Sequence, residues 1–129
     1  MQKIIVKYSK LSKGRGVFAN ADIKKGEILE ISPLLLLPMK DFELIKKTKL
    51  YYYYFEYTDD KVAIALGFGS LYNHSYKPNA RYLYDYKNKN LKYKAIKDIN
   101  EGEEIFINYN YYPNDRTKLE DWFKLNLSE

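Results

Sequence analysis

The segment LYNHSYKPNA, residues 71–80, contains the only histidine of the chain. His74 stands between an asparagine and a serine, and Pro78 and Asn79 follow within five residues. A single imidazole in a polar loop can act as a catalytic base, as a metal ligand or as a structural hydrogen-bonding group. The composition and the segments on either side of this loop have to distinguish these three roles.

Composition excludes several kinds of protein and site. The chain has 129 residues, which is the usual size of one domain, with 46% hydrophobic and 30% charged residues as in a globular protein. There are no cysteines, so disulfides, thiolate nucleophiles and zinc sites built on cysteine are excluded. One histidine rules out a multi-histidine centre, and no loop has the ligand spacing of an EF-hand. We therefore expect no metal.

Charge and hydropathy narrow the expected partners and location. The net charge is +5 and the pI is near 9.1, which is compatible with a nucleic-acid surface. However, the 22 basic residues are interleaved with 17 acidic ones, so we favour a solvated surface and do not expect nucleic acid as the partner. The most apolar run, residues 33–39, is far below the ~20 residues needed to cross a membrane, and we interpret it as a buried strand. The N-terminus has no secretory signal pattern, which predicts a cytoplasmic protein, with a host nucleus as the alternative for a viral protein or an effector.

Short runs of β-branched and aromatic residues, separated by glycine and asparagine turns, predict a mostly β domain. We predict one helix over residues 41–50, with Asp41 as its N-cap, and one or two helical turns within residues 117–127. A strand that begins at Glu27 is expected to end near Pro33, because proline limits pairing. The predicted strands cover residues 4–8, 17–19, 27–31, 51–58, 62–66, 81–86, 91–96 and 105–107.

Four motifs follow one another along the chain, and each of them alone is a weak signal. They are GRGVFA (residues 14–19), KKGEILEI (24–31), ALGFGSLYNHSYKPNA (65–80) and INEGEEIFINYN (99–110). In this order and spacing, the series resembles that of the SET-domain protein-lysine methyltransferases. The resemblance runs from about Val6 to Tyr112 and is closest to the small stand-alone viral and bacterial members, which lack cysteine-rich zinc modules.

The resemblance implies a fold and a reaction. The fold is a single SET domain of the β-clip type over residues 1–129, with several small sheets, short helices and core motifs at about 6–112. Its tail, residues 113–129, follows a pseudoknot-like crossing that brings positions 73 and 109 into one site. The reaction moves a methyl group from S-adenosylmethionine (AdoMet) to the ε-amine of a lysine in a histone tail or another basic protein, leaving S-adenosylhomocysteine. Because lysine has a pKa of ~10.4 in water, such enzymes need a dehydrated channel that disfavours the ammonium form.

By the same resemblance, three tyrosines are implied to be catalytic. Tyr109 in INYN matches the tyrosine whose hydroxyl lies beside the transferred methyl group. Tyr53 in YYYYFEY matches a channel tyrosine, with Tyr54 as the alternative because four consecutive tyrosines leave the register open. Tyr82 matches a position where some members have a second channel tyrosine. Ile107 is aliphatic where an aromatic residue influences the number of methyl groups added, so the degree of methylation stays open.

The resemblance also implies the cofactor contacts. Glycine backbone would approach the methionine part of AdoMet, basic side chains would neutralise its carboxylate, and the asparagine and histidine would contact its amine and adenine. The tryptophan would either stack on the adenine or anchor the tail in the core. The implied set is Lys13, Gly14, Arg15, Gly16, Asn73, His74, Tyr109 and Trp122. The sequence indicates no serine, water or metal partner for His74, so a structural role in the cofactor loop is favoured over a general base.

Two other functions stay open at this stage. One is a basic, tyrosine-rich module that stacks single-stranded nucleic acid on its aromatic side chains. The other is an inactive SET relic that binds protein without turnover. Binding of AdoMet would separate the enzyme from the first, and loss of activity on Tyr109→Phe would separate it from the second. A homodimer, formed through the leucine run or the aromatic tail, is compatible with the sequence.

Overall fold

A computed structural model describes residues 2–119, and the helical turns predicted within 117–127 lie largely outside them. The described part contains nine strands in two sheets, which confirms the predicted mostly β fold of several small sheets. The strands are β1 (Ile4–Ser9), β2 (Gly14–Ala19), β3 (Ile28–Pro38), β4 (Phe55–Thr58), β5 (Lys61–Ala65), β6 (Asn73–His74), β7 (Ala80–Asp85), β8 (Asn90–Ala95) and β9 (Glu104–Ile107).

The first sheet has the order β1-β2-β9-β6. Strands β1 and β2 form a hairpin whose turn contains Lys13 at φ 58, a left-handed conformation that is uncommon outside glycine. Strand β9 pairs antiparallel with β2 and parallel with β6, so that His74 lies opposite Ile107. This parallel pair places the NHS loop directly beside the INYN segment, although the two are distant in sequence.

The second sheet has the order β4-β5-β3-β8-β7. Strand β3 changes partner along its length: its first half pairs with β8 and its second half with β5. The prediction that this strand ends near Pro33 is therefore wrong. Proline is tolerated there because it lies where the partner changes, and its carbonyl accepts a hydrogen bond from Leu66 N at 2.9 Å.

The leucine run belongs to the second half of β3, but the prediction that it is buried is wrong. Leu35 is 50% exposed, and the other three leucines of residues 34–37 are only partly buried. A strand directs alternate side chains to opposite faces, so Leu35 lies on the face opposite Leu34, which packs against the core. No helix in this part of the chain is long and apolar enough to span a bilayer.

The predicted helix over residues 41–50 is also largely wrong. The only α-helix of the described residues, α1 (Phe42–Ile45), has a single turn, with short 3-10 helices at Met39–Asp41 and Lys49–Tyr52. Asp41 makes no capping hydrogen bond, whereas the Thr48 hydroxyl accepts one from Leu50 N at 3.2 Å. The first two tyrosines of residues 51–54 consequently lie in the second 3-10 helix, and the strand predicted from residue 51 begins at Phe55.

The hydrophobic core joins the two sheets. Tyr72 and Tyr93 stack in its centre with their ring centroids 4.2 Å apart and their planes 13° from parallel. Both rings are essentially removed from solvent, as are the isoleucines of β9 that pack beside them. The core therefore fixes the segment that precedes β6 and the strand β9, which together hold the site.

Candidate active site

His74 is joined to Tyr109 by a hydrogen bond across the parallel pair. The backbone N–H of Tyr109 donates to His74 Nδ1 at 3.0 Å, so the neutral imidazole must carry its proton on Nε2. Burial lowers the pKa of His74 from 6.5 to about 4, which keeps the ring neutral near pH 7. Since Nδ1 is already engaged, this geometry favours a structural role for His74.

Tyr109 directs its hydroxyl to the backbone of Tyr72. The phenol donates a hydrogen bond to the Tyr72 carbonyl oxygen at 2.6 Å. Burial raises the pKa of Tyr109 above its ordinary value, so the phenol stays protonated at neutral pH. The hydroxyl can therefore orient a reacting group through its oxygen, but it is poorly suited to remove a proton.

The Tyr72 carbonyl is a part of this arrangement that sequence reasoning missed. The Tyr72 side chain fixes the peptide: its hydroxyl donates to Glu30 Oε1 at 2.8 Å, and its ring stacks on Tyr93. Glu30 also accepts a hydrogen bond from Phe68 N at 2.8 Å. No sequence pattern marks a backbone carbonyl as a hydrogen-bond partner, so this clamp could not be found from the sequence.

A cavity of about 610 Å³ opens beside the Tyr109 phenol. Three implied channel residues, Tyr53, Tyr82 and Ile107, line it together with Tyr109. The Tyr82 hydroxyl donates to the Tyr109 carbonyl at 3.3 Å, and burial raises the pKa of Tyr82 as well. The fold thus brings the three proposed catalytic tyrosines around one aromatic space.

Tyr53 and Tyr54 both contact the cavity, but their surroundings differ. Burial raises the pKa of the Tyr109 phenol, and a charge interaction with Tyr53 adds to this rise. The Tyr54 ring instead packs against Phe42, with centroids 4.9 Å apart, and stacks with Tyr51 at 6.0 Å. This arrangement favours Tyr53 as the residue that faces the reacting groups.

On the other side of β6, the Asn73 side chain ties the β1–β2 hairpin to β9. Its Nδ2 lies 3.0 Å from the Arg15 carbonyl, 3.1 Å from Ser12 Oγ and 2.7 Å from Glu104 Oε2. The other carboxylate oxygen of Glu104 accepts a hydrogen bond from Ser9 Oγ at 2.5 Å. These bonds fix the turn that contains the implied cofactor residues Lys13 to Gly16.

Gly16 packs against this network. A Cβ atom at this position would collide with the Glu104 carboxylate and would lie 2.7 Å from Asn73 Nδ2. The sequence predicts that the glycine lets backbone approach a cofactor, and the structure shows that it lets the Asn73–Glu104 pair approach β2. A side chain at residue 16 would disturb the hairpin from within.

The hairpin also has groups that fit the amino-acid end of AdoMet. Asn73 Oδ1 accepts no hydrogen bond from the described residues, and it can accept one from an ammonium group. Lys13 and Arg15 are exposed, form no ion pair within residues 2–119, and can neutralise a carboxylate. These residues therefore fit the cofactor implied by the sequence, whereas Trp122 lies outside the described residues.

Two further asparagines of the motifs have roles that the sequence did not reveal. Asn79 clamps β9 from the side: its Nδ2 donates to the Glu104 carbonyl at 2.9 Å and its Oδ1 accepts from Phe106 N at 2.8 Å. Asn108 is buried, and its Nδ2 donates to the Asp115 carbonyl at 2.6 Å. Both use a side-chain amide to satisfy backbone groups of another part of the chain.

Comparison with known families agrees with this geometry. The SET domain family matches residues 14–110, which include the hairpin, the NHS loop and Tyr109. The chain belongs to the SET-domain family. The SET domain is 36% identical over 98 residues to a Schizosaccharomyces pombe protein named histone-lysine N-methyltransferase, H3 lysine-37 specific. That match covers 75% of this chain and 67% of the relative.

Solved structures support the same assignment. The SET domain is 30% identical to a Plasmodium falciparum protein described as a candidate histone methyltransferase, with a TM-score of 0.73 over 87% of this chain and 96% of that one. It is 26% identical to part of a humanized mutant of the Chaetomium thermophilum Polycomb Repressive Complex 2 bound to the inhibitor GSK126, with a TM-score of 0.66. That match covers 86% of this chain but spans only 15% of the other. The predicted family, the SET fold and the enzyme class of protein-lysine methyltransferase are confirmed.

Proposed function

We propose that this SET domain uses AdoMet to methylate a lysine ε-amine in a histone tail or a similarly basic protein. The observation that carries the proposal is the tyrosine-lined cavity beside the Tyr109 phenol. Through the β6–β9 pair and the His74–Tyr109 hydrogen bond, this cavity is joined to the hairpin that fits the amino-acid end of the donor. The site thus has a place for each reactant on either side of one tyrosine.

AdoMet would supply an electrophilic methyl group on a sulfonium. Asn73 Oδ1 and the cations Lys13 and Arg15 would hold its methionine part, and Gly14 would leave the hairpin backbone accessible. Because Asn73 and His74 are consecutive on β6, the residue that would hold the donor is adjacent to the residue that positions Tyr109. Donor binding and alignment of the phenol are therefore coupled through one short strand.

The cavity favours the uncharged form of the target lysine. Its tyrosine walls desolvate an entering amine, and desolvation disfavours an ammonium group. Tyr82 and Tyr109 keep their own protons, so neither acts as the base, and the lysine would release its proton to solvent before it is seated. Holding the amine, methyl carbon and sulfur in line can supply ~7–11 kcal/mol of the barrier.

A basic peptide suits the mouth of this cavity. Glu56 is exposed and lines this cavity, and its backbone carbonyl accepts a hydrogen bond from the Tyr84 hydroxyl. A carboxylate at the mouth attracts lysine-rich and arginine-rich segments, which partly offsets the repulsion expected from a net charge of +5. The two relatives named as histone methyltransferases support the same choice of substrate.

The test is methyl transfer from labelled AdoMet to a mixture of histones and cell lysate, followed by mass spectrometry of the modified lysines. We expect labelled lysines with the wild-type chain and a fall in kcat on the order of 10²–10³ for Tyr109→Phe, because an oriented oxygen is lost. Tyr112→Phe is the matched control, since Tyr112 is 61% exposed and its hydroxyl makes no hydrogen bond within residues 2–119. An unlabelled mixture, or full activity of Tyr109→Phe, would contradict the proposal.

A further inference from the structure

Residues 113–119, here called the C-terminal strap, pass beside the NHS loop and reach the cavity. The last three of them, Thr117, Lys118 and Leu119, line the cavity together with Tyr53, Tyr82 and Tyr109. The strap contains no helix or strand, so its position depends on hydrogen bonds from other segments. The hydrogen bonds that hold the strap therefore also position one wall of the proposed lysine channel.

One hydroxyl group holds two peptide groups of the strap. Tyr76 Oη donates to the Thr117 carbonyl at 3.1 Å and accepts from Leu119 N at 3.1 Å. The Tyr76 ring also meets the His74 ring edge-on, with centroids 4.4 Å apart and planes 89° from parallel. Tyr76 therefore connects the strap to the histidine that positions Tyr109.

The strap is also held from the INYN segment. Asn110 Nδ2 donates to the same Thr117 carbonyl at 2.7 Å, and Asn108 Nδ2 donates to the Asp115 carbonyl at 2.6 Å. The Thr117 carbonyl thus accepts one hydrogen bond from the NHS loop and one from the segment that follows β9. The two segments that carry the proposed active site meet on this single oxygen.

We propose that Tyr76 is a positioning residue for substrate binding, acting through the strap; this rests on the proposed function. The role requires a hydroxyl, because one atom must both donate to Thr117 and accept from Leu119. Phenylalanine keeps the ring contact with His74 and loses both strap bonds. Loss of these two hydrogen bonds should therefore move the channel wall. It should leave in place the Tyr109 phenol and the β1–β2 hairpin, here called the cofactor hairpin.

The first experiment compares Tyr76→Phe with the control Tyr8→Phe, which removes a hydroxyl from a tyrosine that is 64% exposed. With a lysine peptide found by the assay above, we expect Tyr76→Phe to raise KM about tenfold while kcat and the Kd for AdoMet stay within about twofold. Tyr8→Phe should change none of them. A change in kcat alone, or an unchanged KM, would overturn the proposal.

The second experiment measures the strap directly. Amide exchange by NMR should show faster exchange of the Leu119 N–H in Tyr76→Phe, and trypsin should cleave after Arg116 and Lys118 faster than in the wild type. The midpoint of global thermal unfolding should remain nearly unchanged. Equal exchange and cleavage rates in the two proteins would overturn the proposal. This measurement needs no substrate, so it distinguishes failure of the Tyr76 proposal from failure of the proposed function.

A double-mutant cycle with Asn110→Ala tests whether both side chains act through the Thr117 carbonyl. If they do, the two changes disturb the same oxygen and their effects are not independent. The fold-change in KM of the double variant should then differ by at least threefold from the product of the fold-changes of the two single variants. The exchange rate of the strap should show the same non-additivity. Additive effects on both quantities would mean that Tyr76 acts elsewhere and would overturn the proposal.

Discussion

At the scale of single residues, the site works through tyrosines and one histidine that keep their neutral forms. Burial raises the pKa of Tyr82 and Tyr109 and lowers that of His74, so each shift favours the uncharged state. His74 thus acts as a hydrogen-bond acceptor for the backbone N–H of Tyr109. A protonated ring could not accept that bond, which makes the arrangement sensitive to acid.

This sensitivity gives a prediction for stability. The folded chain protonates His74 only near pH 4, whereas the unfolded chain does so near pH 6.5. Between these values the unfolded state binds more protons, so the free energy of unfolding falls as the pH is lowered through this window. Because His74 is only partly buried, we expect a slope below the full ~1.4 kcal/mol per pH unit.

The matched variant is His74→Asn, whose Oδ1 can accept the same bond from Tyr109 N without titrating. Urea unfolding at about pH 7, 5.5 and 4.5 should show the wild type losing more stability than the variant. Glu27, Asp85 and Asp115, whose carboxyl pKa values are lowered by hydrogen bonds, contribute equally to both proteins. Parallel curves for the two proteins would show that His74 does not titrate on unfolding.

The roles of single residues could be predicted only where they belong to a local pattern. The NHS and INYN motifs led to Asn73, His74 and Tyr109 because these short segments resemble the motifs of a known family, and the structure places the two segments side by side. The Tyr72 carbonyl and the Tyr76 hydroxyl could not be found in this way. Their partners lie about 40 residues away, and only the folded chain brings them together.

At the scale of elements, strand β9 organises the site, because it lies between the cofactor hairpin and β6. Its contact with β2 depends on the missing side chain at Gly16. We predict that Gly16→Ala lowers the free energy of unfolding by about 1–3 kcal/mol, since the new methyl group must displace Asn73 or Glu104. The affinity for AdoMet should fall as well, because Asn73 would move away from the Arg15 carbonyl.

Denaturant unfolding and calorimetric titration with AdoMet measure the two effects of Gly16→Ala. Arg15→Ala is the control for stability: its side chain is exposed and its backbone carbonyl is retained, so the change should stay within about 0.5 kcal/mol. An unchanged free energy of unfolding for Gly16→Ala would show that the hairpin can move away from β9 without loss of stability. That result would contradict the proposal that donor binding and alignment of the Tyr109 phenol are coupled through β6.

Elements were predicted well where a short polar turn separates two alternating strands, as in β7 and β8, which pair antiparallel as a hairpin. They were predicted poorly in the region of residues 41–58. There the aromatic side chains pack on one another, Phe42 with Tyr54 for example, and this packing decides the backbone more than local propensity does. The helical periodicity of that region was too short to compete, since isolated helices of one turn are unstable.

At the scale of the whole molecule, the two reactants of the proposed reaction would meet where the two sheets adjoin. The cofactor hairpin belongs to the first sheet, while the channel tyrosines Tyr53 and Tyr82 come from the second sheet and its adjoining 3-10 helix. The core pair Tyr72 and Tyr93 holds the two sheets together. Net charge and tyrosine content alone could not predict this division, because they are equally compatible with a nucleic-acid binding module.

Ligand linkage distinguishes the enzyme from such a module in the intact protein. A ligand that binds only the folded state raises the free energy of unfolding by about 2.7 kcal/mol at 100 times its Kd, and further as its concentration rises. We therefore expect the thermal midpoint to increase steadily with AdoMet and to change little with a single-stranded oligonucleotide at about 0.15 M salt. A nucleic-acid module would instead be stabilised by the oligonucleotide, with an affinity that falls steeply as salt is raised, and would not respond to AdoMet. That pattern, found with the wild-type chain, would show that the cavity and hairpin do not serve methyl transfer here.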